Sequence, residues 1–202
     1  LLQRGALIES GKLWRRALDV AMQVGKAPDI ARAKRGLAHL TILQGKLSAA
    51  ATYLDEAEEL LASGQDDPTR ASILARLIEL DTIAGRFGAA IHRAAQLTTL
   101  VDDSNVMNRH PQALSQQATV LLKTGDLESA HKYASRAVLH AHAVPILQHE
   151  NLIIAARVLC GVGRFEEAAR ALAPIESLPA NSLSDLPAQI AALHAWTAGE
   201  HA

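Results

Sequence analysis

Aromatic residues and cysteine are scarce in this chain of 202 residues. Aromatic residues make up 3% of it, against 49% for hydrophobic residues as a whole, so the core must be built from alanine, leucine, isoleucine and valine. The single cysteine, Cys160, excludes an intramolecular disulfide framework and a cysteine-based zinc site. The sequence has no run of 18 apolar residues, which argues against a membrane-spanning segment. Together with abundant alanine and leucine, these absences favour helices throughout.

The chain also lacks an excess of either charge, because its net charge is −1. This balance argues against a dedicated nucleic-acid-binding protein. Residues 1–50 nevertheless carry a net charge of +6, and residues 51–103 carry −6. Neighbouring helices that balance one another's charge would explain this division. A positive patch that faces an acidic or phosphorylated partner is the alternative explanation.

What the sequence does contain is a repeat of the pattern G-x-[LF]-x-x-A. Four copies begin at Gly45, Gly85, Gly125 and Gly163, at spacings of 40, 40 and 38 residues. A looser copy begins at Gly11, with its alanine one position late. Each of the four glycines follows an amphipathic run of about four turns, so it is placed to end one helix just before the next begins.

The repeat therefore predicts antiparallel helical hairpins joined by glycine turns. The alanine five residues after each glycine is small enough to let the two helices of a hairpin approach closely. Prolines between the hairpins suit the first turns of the following helices, whereas Pro174 should end the ninth helix early. The predicted helices span residues 12–24, 28–44, 47–63, 68–84, 87–101, 111–124, 127–142, 145–161, 165–173 and 186–198.

These motifs resemble the turn and second helix of tetratricopeptide repeats (TPRs), and the resemblance covers most of the chain. It implies an all-α, right-handed α-solenoid of about five stacked hairpins, forming one domain over residues 1–202. Units of about 40 residues are longer than usual and are similar to those of maltose-activator-type bacterial regulators and kinesin-light-chain-like arrays. The expected repeat turns lie at Gly11, Gly45, Gly85, Gly125, Gly163 and Gly199.

The predicted last helix meets Gly199 where a further hairpin would turn. We therefore expect the chain to be part of a longer polypeptide, whose open array ends could self-associate.

We find no catalytic constellation in the sequence, and we predict no enzyme activity, no cofactor and no metal site. The Gly161-Val162-Gly163 stretch lacks the third glycine of a dinucleotide fingerprint. His140 and His142 are two residues apart, so they would point away from each other on a helix. Cys160 lies in an apolar run, which predicts a buried structural thiol.

The resemblance also implies a concave groove lined by the first helix of each hairpin. Such a groove binds a protein or peptide partner. Arg32 and Arg35 are plausible anchors there for a carboxylate or phosphate. The register of the family places these residues toward the groove: Arg32, Arg35, Glu79, Gln112, Ser115, Thr119, Glu150 and Arg157.

The sequence thus favours a non-catalytic, cytoplasmic interaction module without nucleic-acid or membrane contact. Its expected setting is the sensor or scaffold part of a bacterial multidomain regulator. Two alternatives stay open: a structural scaffold subunit of a multiprotein assembly, and a groove that senses a small molecule or short peptide.

Overall fold

The structure, a computed structural model, describes residues 2–61, 66–103, 110–141 and 145–176. Within these residues the chain forms nine helices and no strands. They are α1 (Leu2–Val24), α2 (Ala27–Leu43), α3 (Leu47–Leu61), α4 (Asp67–Ile83), α5 (Phe87–Asp103), α6 (His110–Thr124), α7 (Leu127–Ala141), α8 (Pro145–Gly161) and α9 (Phe165–Glu176). The predicted all-α array of helical hairpins is confirmed. The predicted helix at 186–198 and the turn at Gly199 lie outside the described residues.

The chain divides into two compact units, Leu1–Val106 and Met107–Ala202, which we call the first and second unit and describe separately. In the first unit α1 packs on α2, and the hairpins α2–α3 and α4–α5 follow. In the second unit α6 packs on both α7 and α8, and α8 packs on both α7 and α9. The expectation of a single domain over residues 1–202 stays a prediction.

The four hairpin turns are closed as their sequences predict. Gly45 has a φ of 74°, in the left-handed region that ends a helix. Its N–H donates to the carbonyl of Ile42 at 2.9 Å, and the next N–H, of Lys46, donates to Thr41 at 2.8 Å. This pair of bonds is a Schellman motif, which satisfies the last carbonyls of α2. The same positive φ occurs at the turn glycines of the other three hairpins, Gly85, Gly125 and Gly163.

The small residues predicted between paired helices are buried as expected. Ala50, Ala90, Ala130 and Ala168 each have 0% exposure. Each unit surrounds them with its own apolar core, built mainly from alanine and leucine. Alanine at the crossing positions allows close backbone approach, which compensates for the scarcity of aromatic residues.

The prediction of a turn at Gly11 is wrong. Gly11 lies inside the uninterrupted helix α1, and a left-handed glycine instead separates α1 from α2 at Gly25. The glycine that stands 40 residues before Gly45 is Gly5, near the beginning of α1. The repeat counted from Gly5 makes α1 equivalent to α3, the second helix of a hairpin.

One side of α1 packs closely on α2. A Cβ atom added at Gly36 would lie 2.4 Å from Cδ2 of Trp14, so only glycine leaves room for the indole there. Trp14 stands at the repeat position of Leu54, which is fully buried in α3. This contact supports the register counted from Gly5.

The helix boundaries near proline differ in one place from the prediction. Pro68, Pro111 and Pro145 stand in the first turns of α4, α6 and α8, as predicted. Pro174, however, lies inside α9, which continues to Glu176. A proline in the last turn removes only one backbone hydrogen bond, so the helix tolerates it there.

Candidate functional site

The two predicted groove residues of α2 stand on its polar side. Arg32 is exposed, and its guanidinium lies 3.0 Å from the carboxylate of Asp29 and 3.7 Å from that of Asp66. Asp66 caps α4 by accepting from the N–H of Thr69 at 3.3 Å. Arg32 is therefore already paired with two carboxylates, whereas Arg35 is half-buried on the same helix. A ligand anion would have to compete with both carboxylates for Arg32.

Glu79 of α4 is also engaged within its own helix. Its carboxylate lies 2.5 Å from a guanidinium nitrogen of Arg76, and both side chains are about a quarter exposed. Because α2 packs on α4, Glu79 and the arginines of α2 stand on neighbouring helices of the first unit. Their joint role in a groove stays a prediction.

The placement of Ser115 in an open groove is wrong. Ser115 has 0% exposure, and its hydroxyl donates to the carbonyl of Pro111 at 2.6 Å. A helical serine can bond to the carbonyl four residues before it, so it can be buried without an unsatisfied hydroxyl. Thr119 does the same with the carbonyl of Ser115 at 2.8 Å and is half-buried, as is Gln112.

The remaining predicted groove residues lie on α8. Arg157 is exposed to solvent, so it is available to a ligand. The side chain of Glu150 lies outside the described residues. Among the predicted groove residues whose side chains the structure describes in the second unit, Arg157 is the most accessible.

A cavity that sequence reasoning missed opens in the second unit between α7 and α9. Its volume is about 260 Å³, and α8 forms its floor through Leu159. Leu139 stands on its edge and is 73% exposed. We call this site the α7–α9 cleft; it is lined by Ser135, Val138, Leu139, Leu159, Glu167 and Arg170.

A polar bridge crosses one end of the α7–α9 cleft. Oε2 of Glu167 on α9 lies 2.9 Å from Nε2 of His131 on α7, and the Ser135 hydroxyl donates to the same oxygen at 3.2 Å. Nε of Arg164 lies 4.0 Å from the other carboxylate oxygen. Glu167 thus ties α9 to two residues of α7.

These contacts lower the pKa of Glu167. The hydrogen bond with His131 has the largest effect on this pKa. The charge of His131, the hydrogen bond from the Ser135 hydroxyl and the charge of Arg164 also lower it, whereas burial raises it. The carboxylate is therefore ionised at neutral pH. Its polar neighbours hold it in place as a fixed negative group at the cleft.

Arg170 supplies the opposite charge at the same cleft. Its side chain is exposed, and no ion-pair partner for it occurs among the described residues. The cleft therefore joins three apolar side chains to one available guanidinium. This combination can bind an apolar group with an anion beside it.

The polar residues of the cleft are not arranged as a nucleophile and its base. Such a pair requires the serine hydroxyl to bond to the imidazole, whereas Ser135 and His131 both bond to Glu167. At about 260 Å³ the cavity is also smaller than most sites for small molecules, which range over about 300–1,000 Å³. Its size suits one side chain of a partner better than a whole ligand.

Sequence reasoning missed the cleft because it searched the first helices of the hairpins. His131 and Glu167 are 36 residues apart and belong to the second helices of consecutive hairpins. His131 stands six positions after Gly125, and Glu167 stands four positions after Gly163. The repeat register therefore places both residues near the beginnings of neighbouring second helices, where they could have been paired. Neither residue belongs to a recognisable motif.

The first unit contains a buried charge cluster that sequence reasoning also missed. Asp81 of α4 is 1% exposed, and its carboxylate lies 2.7 Å from the guanidinium of Arg86. The other carboxylate oxygen accepts from Arg93 of α5. The cluster ties α4 to α5 and satisfies a charge that would otherwise be costly to bury.

Cys160 of α8 is buried, as predicted from its apolar surroundings. Burial raises the pKa of its thiol, so the thiol is protonated at neutral pH and weakly nucleophilic. No three histidine, cysteine or carboxylate side chains converge as a metal site would require in the part of the chain that the structure describes. Over the same residues, no helix has the length and apolarity that crossing a bilayer demands.

Comparison with solved structures identifies the architecture. The crystal structure of BtubC (BKLC) from P. vanneervenii superposes with a TM-score of 0.73 at 17% sequence identity, over 96% of this chain and 85% of that one. The fold is TPR-like. A crystal structure of nearly identical TPR-like repeats from Podosopora anserina gives a TM-score of 0.57 at 15% identity, over 96% of this chain and 90% of that one.

A second crystal structure of those repeats gives a TM-score of 0.59 at 14% identity. It covers 89% of this chain and 90% of that one. No protein-family model matches the chain, and no curated protein sequence does. The shared TPR-like fold is what these structures establish for the present chain.

Proposed function

We propose that this chain is a non-catalytic protein-interaction module, and that the α7–α9 cleft holds a segment of its partner. The observation that carries this proposal is the apolar cavity formed by Val138, Leu139 and Leu159 beside the exposed Arg170. Leu139 is 73% exposed at the edge of this cavity, where a side chain of the partner would contact it.

The chemistry of the cleft specifies the partner segment. An aliphatic or aromatic side chain would fill the cavity, where burial of such a side chain contributes about 1.5–3 kcal/mol. A carboxylate next to that side chain would meet Arg170, and the fixed charge of Glu167 would repel a second carboxylate on its side. The expected ligand is therefore a peptide with an apolar residue and a single acidic neighbour.

The TPR-like fold supports this proposal, since such arrays bind peptides and helices on their surfaces. We further propose that the module is the sensor or scaffold part of a bacterial multidomain regulator. The repeat period of about 40 residues supports that setting. A sensor of small molecules is disfavoured at this cleft by the size of the cavity.

Selection from a displayed peptide library tests the proposal and requires no purified partner protein. The immobilised wild-type chain should enrich peptides that share an apolar residue followed or preceded by aspartate or glutamate. Leu139→Asp should abolish this enrichment, and Arg170→Glu should replace the acidic residue of the selected peptides with a basic one.

Leu127→Asp is the matched control, because Leu127 lies on the same helix, is 50% exposed and does not line the cleft. It should select the same peptides as the wild-type chain. Enrichment of unrelated peptides, or the same enrichment with Leu139→Asp, would contradict the proposed site.

A further inference from the structure

Two exposed cations of α7 continue the edge of the α7–α9 cleft. Lys132, Arg136 and Leu139 follow the spacing i, i+4 and i+7, so they lie along one side of the helix. All three side chains are exposed, and Leu139 already lines the cleft. We call these three residues the α7 rim. It leads from the apolar cavity to a positive charge about one helical turn away and to another about two turns away.

The guanidinium of Arg136 is supported by an aromatic ring. Its central carbon lies 5.8 Å from the centroid of the Tyr133 ring, which is within the range of a cation–π interaction. Tyr133 is half-buried and packs against the core of the second unit, so the ring is a fixed support. A guanidinium that stacks on a ring keeps its N–H groups directed outward in its own plane. Arg136 is therefore restrained in position but available to a carboxylate.

Arg136 lacks the charged partner across the hairpin that its counterpart in the first unit has. It stands at the repeat position of Glu56, which forms an ion pair with Lys34 of α2. The counterpart of Lys34 on α6 is Leu114, which is 1% exposed. In the part of the chain that the structure describes, neither Arg136 nor Lys132 has an ion-pair partner. The α7 rim thus carries two positive charges beside an apolar cavity.

The fixed negative charge of the cleft lies on another side of α7. Glu167 is bonded to Ser135, and Arg136 is rotated by about 100° around the helix from that serine. A ligand carboxylate near Glu167 would be repelled, whereas one that passes over the α7 rim would meet Arg136 and then Lys132. The charges therefore favour one path for an acidic segment, along α7 and away from the polar bridge.

We propose that Arg136 determines specificity by binding a second acidic residue of the partner segment, and that Tyr133 is its positioning residue. This inference rests on the proposed function of the α7–α9 cleft. Residues three apart on a helix surface, such as Arg136 and Leu139, stand about 5–6 Å apart. In an extended segment, side chains two positions apart lie on the same face at about 6.6 Å. The second acidic residue should therefore stand two positions from the residue that fills the cavity, on the side away from its first acidic neighbour.

Synthetic peptides that differ by one charge test this specificity. The singly acidic probe has one leucine followed directly by glutamate in a glycine-serine background, with glutamine two positions before the leucine. The doubly acidic probe has glutamate in place of that glutamine, and a second pair of probes has the reversed order of residues. For one of the two orders, the wild-type chain should bind the doubly acidic probe about two- to fivefold more tightly by fluorescence anisotropy, the effect of one exposed ion pair. Arg136→Glu should reverse this preference.

Substitutions of the ring separate positioning from a purely structural role. Tyr133→Phe keeps the ring beside Arg136 and should retain the preference for the doubly acidic probe. Tyr133→Leu should abolish most of that preference and leave the affinity for the singly acidic probe unchanged, because the guanidinium loses its support. Lys123→Glu is the matched control, since it changes the net charge as Arg136→Glu does, at an exposed position of α6, and should leave the preference unchanged. Unchanged helicity by circular dichroism confirms that each variant is folded.

The variants distinguish a failure of this inference from a failure of the proposed function. If no probe binds, or if Leu139→Asp leaves the binding unchanged, the cleft does not hold the segment and both proposals are wrong. If Leu139→Asp abolishes binding but Arg136→Glu keeps the wild-type preference, only the role of Arg136 is wrong. An equal loss of preference with Lys123→Glu would also overturn that role, because net charge rather than a contact at the α7 rim would then explain the effect.

Discussion

The hairpins α4–α5 and α8–α9 have the same turn and the same repeat register but different interiors. Asp81 is buried in the first at the position that Leu159 occupies in the second. Arg93, which neutralises Asp81, corresponds to the fully buried Ala171. The repeat therefore determines which positions are buried, whereas each hairpin determines the chemistry at those positions.

The same difference extends to the surface between the second helices. The six positions that line the α7–α9 cleft have counterparts on α3, α4 and α5, and most of these counterparts carry charge or a titratable group. They are Asp55, Glu58, Glu59, Asp81, Ala89 and His92. An apolar cavity with an available cation is thus a property of the second unit, whereas the α3 counterparts of its α7 lining are the carboxylates Asp55, Glu58 and Glu59.

The largest expected effect comes from giving α8 the buried carboxylate of α4. Leu159→Asp should destabilise the chain by roughly 4 kcal/mol, because Ala171 offers no charge to pair with the new aspartate. The double variant Leu159→Asp/Ala171→Arg should recover at least half of this loss, since Arg164 already occupies the position of Arg86. Urea denaturation followed by circular dichroism measures both, and a double variant as unstable as the single one would contradict the equivalence of the two hairpins.

Removing the charged pair of α4–α5 should have a somewhat smaller effect on the free energy of unfolding. Arg93→Ala leaves Asp81 buried with one partner and should cost about 3 kcal/mol of unfolding free energy. Replacement of both, Asp81→Leu/Arg93→Ala, should restore most of the stability because it recreates the apolar pair of α8–α9. Arg70→Ala, at an exposed position of α4, is the control and should change stability by less than about 0.5 kcal/mol.

The turns of the two hairpins should respond equally. Gly85 and Gly163 have φ values of 73° and 79°, and an added Cβ would meet no atom within 4 Å at either. Each glycine-to-alanine substitution should therefore cost roughly 1–2 kcal/mol through backbone strain alone. Gly88→Ala, inside α5 and also without a steric contact, should instead stabilise the chain by about 0.5–1 kcal/mol. Unequal costs at the two turns, measured by thermal denaturation, would indicate different turn environments.

The smallest expected effect concerns the polar bridge of the α7–α9 cleft. Because the pKa of Glu167 is lowered in the folded chain, its bonds stabilise the fold above the ordinary carboxyl pKa of 4.5. This stabilisation is lost as the pH falls below that value. Glu167→Gln should lower stability at pH 7 by less than about 1 kcal/mol, and this cost should shrink as the pH falls from 4.5 through the lowered pKa of Glu167, by melting temperature. Glu166→Gln, at the exposed neighbouring position, should show no comparable difference.

The sequence predicted the helical array well because its pattern is local. A glycine with left-handed backbone, followed five residues later by a buried alanine, defines each hairpin turn without reference to the rest of the chain. Gly11 matched this pattern only loosely, with its alanine one position late, and α1 continues through it. Gly5 has the 40-residue spacing, but it is followed by Ser10 in place of the alanine and also lies within α1, so the letters of the pattern did not select it.

The candidate sites were less predictable because they depend on side chains that meet from different hairpins. Nothing around Asp81 in the sequence indicates that its helix buries it or that Arg93 pairs with it. Ser115 was expected in a groove because its register position was transferred from another protein family, whereas its hydroxyl bonds within its own helix. Charge pairing between helices and self-satisfied hydroxyls require the three-dimensional structure.

The central proposal is that the α7–α9 cleft holds a segment of the partner. The most direct test is a methyl NMR titration of the chain with a peptide chosen by the library selection. The largest shifts should fall on the methyl groups of Val138, Leu139 and Leu159, and those of Ile73 and Leu77 in the first unit should remain unchanged. Shifts confined instead to methyl groups of α2 and α4, beside Arg32 and Glu79, would contradict the cleft and support binding on the first helices of the hairpins.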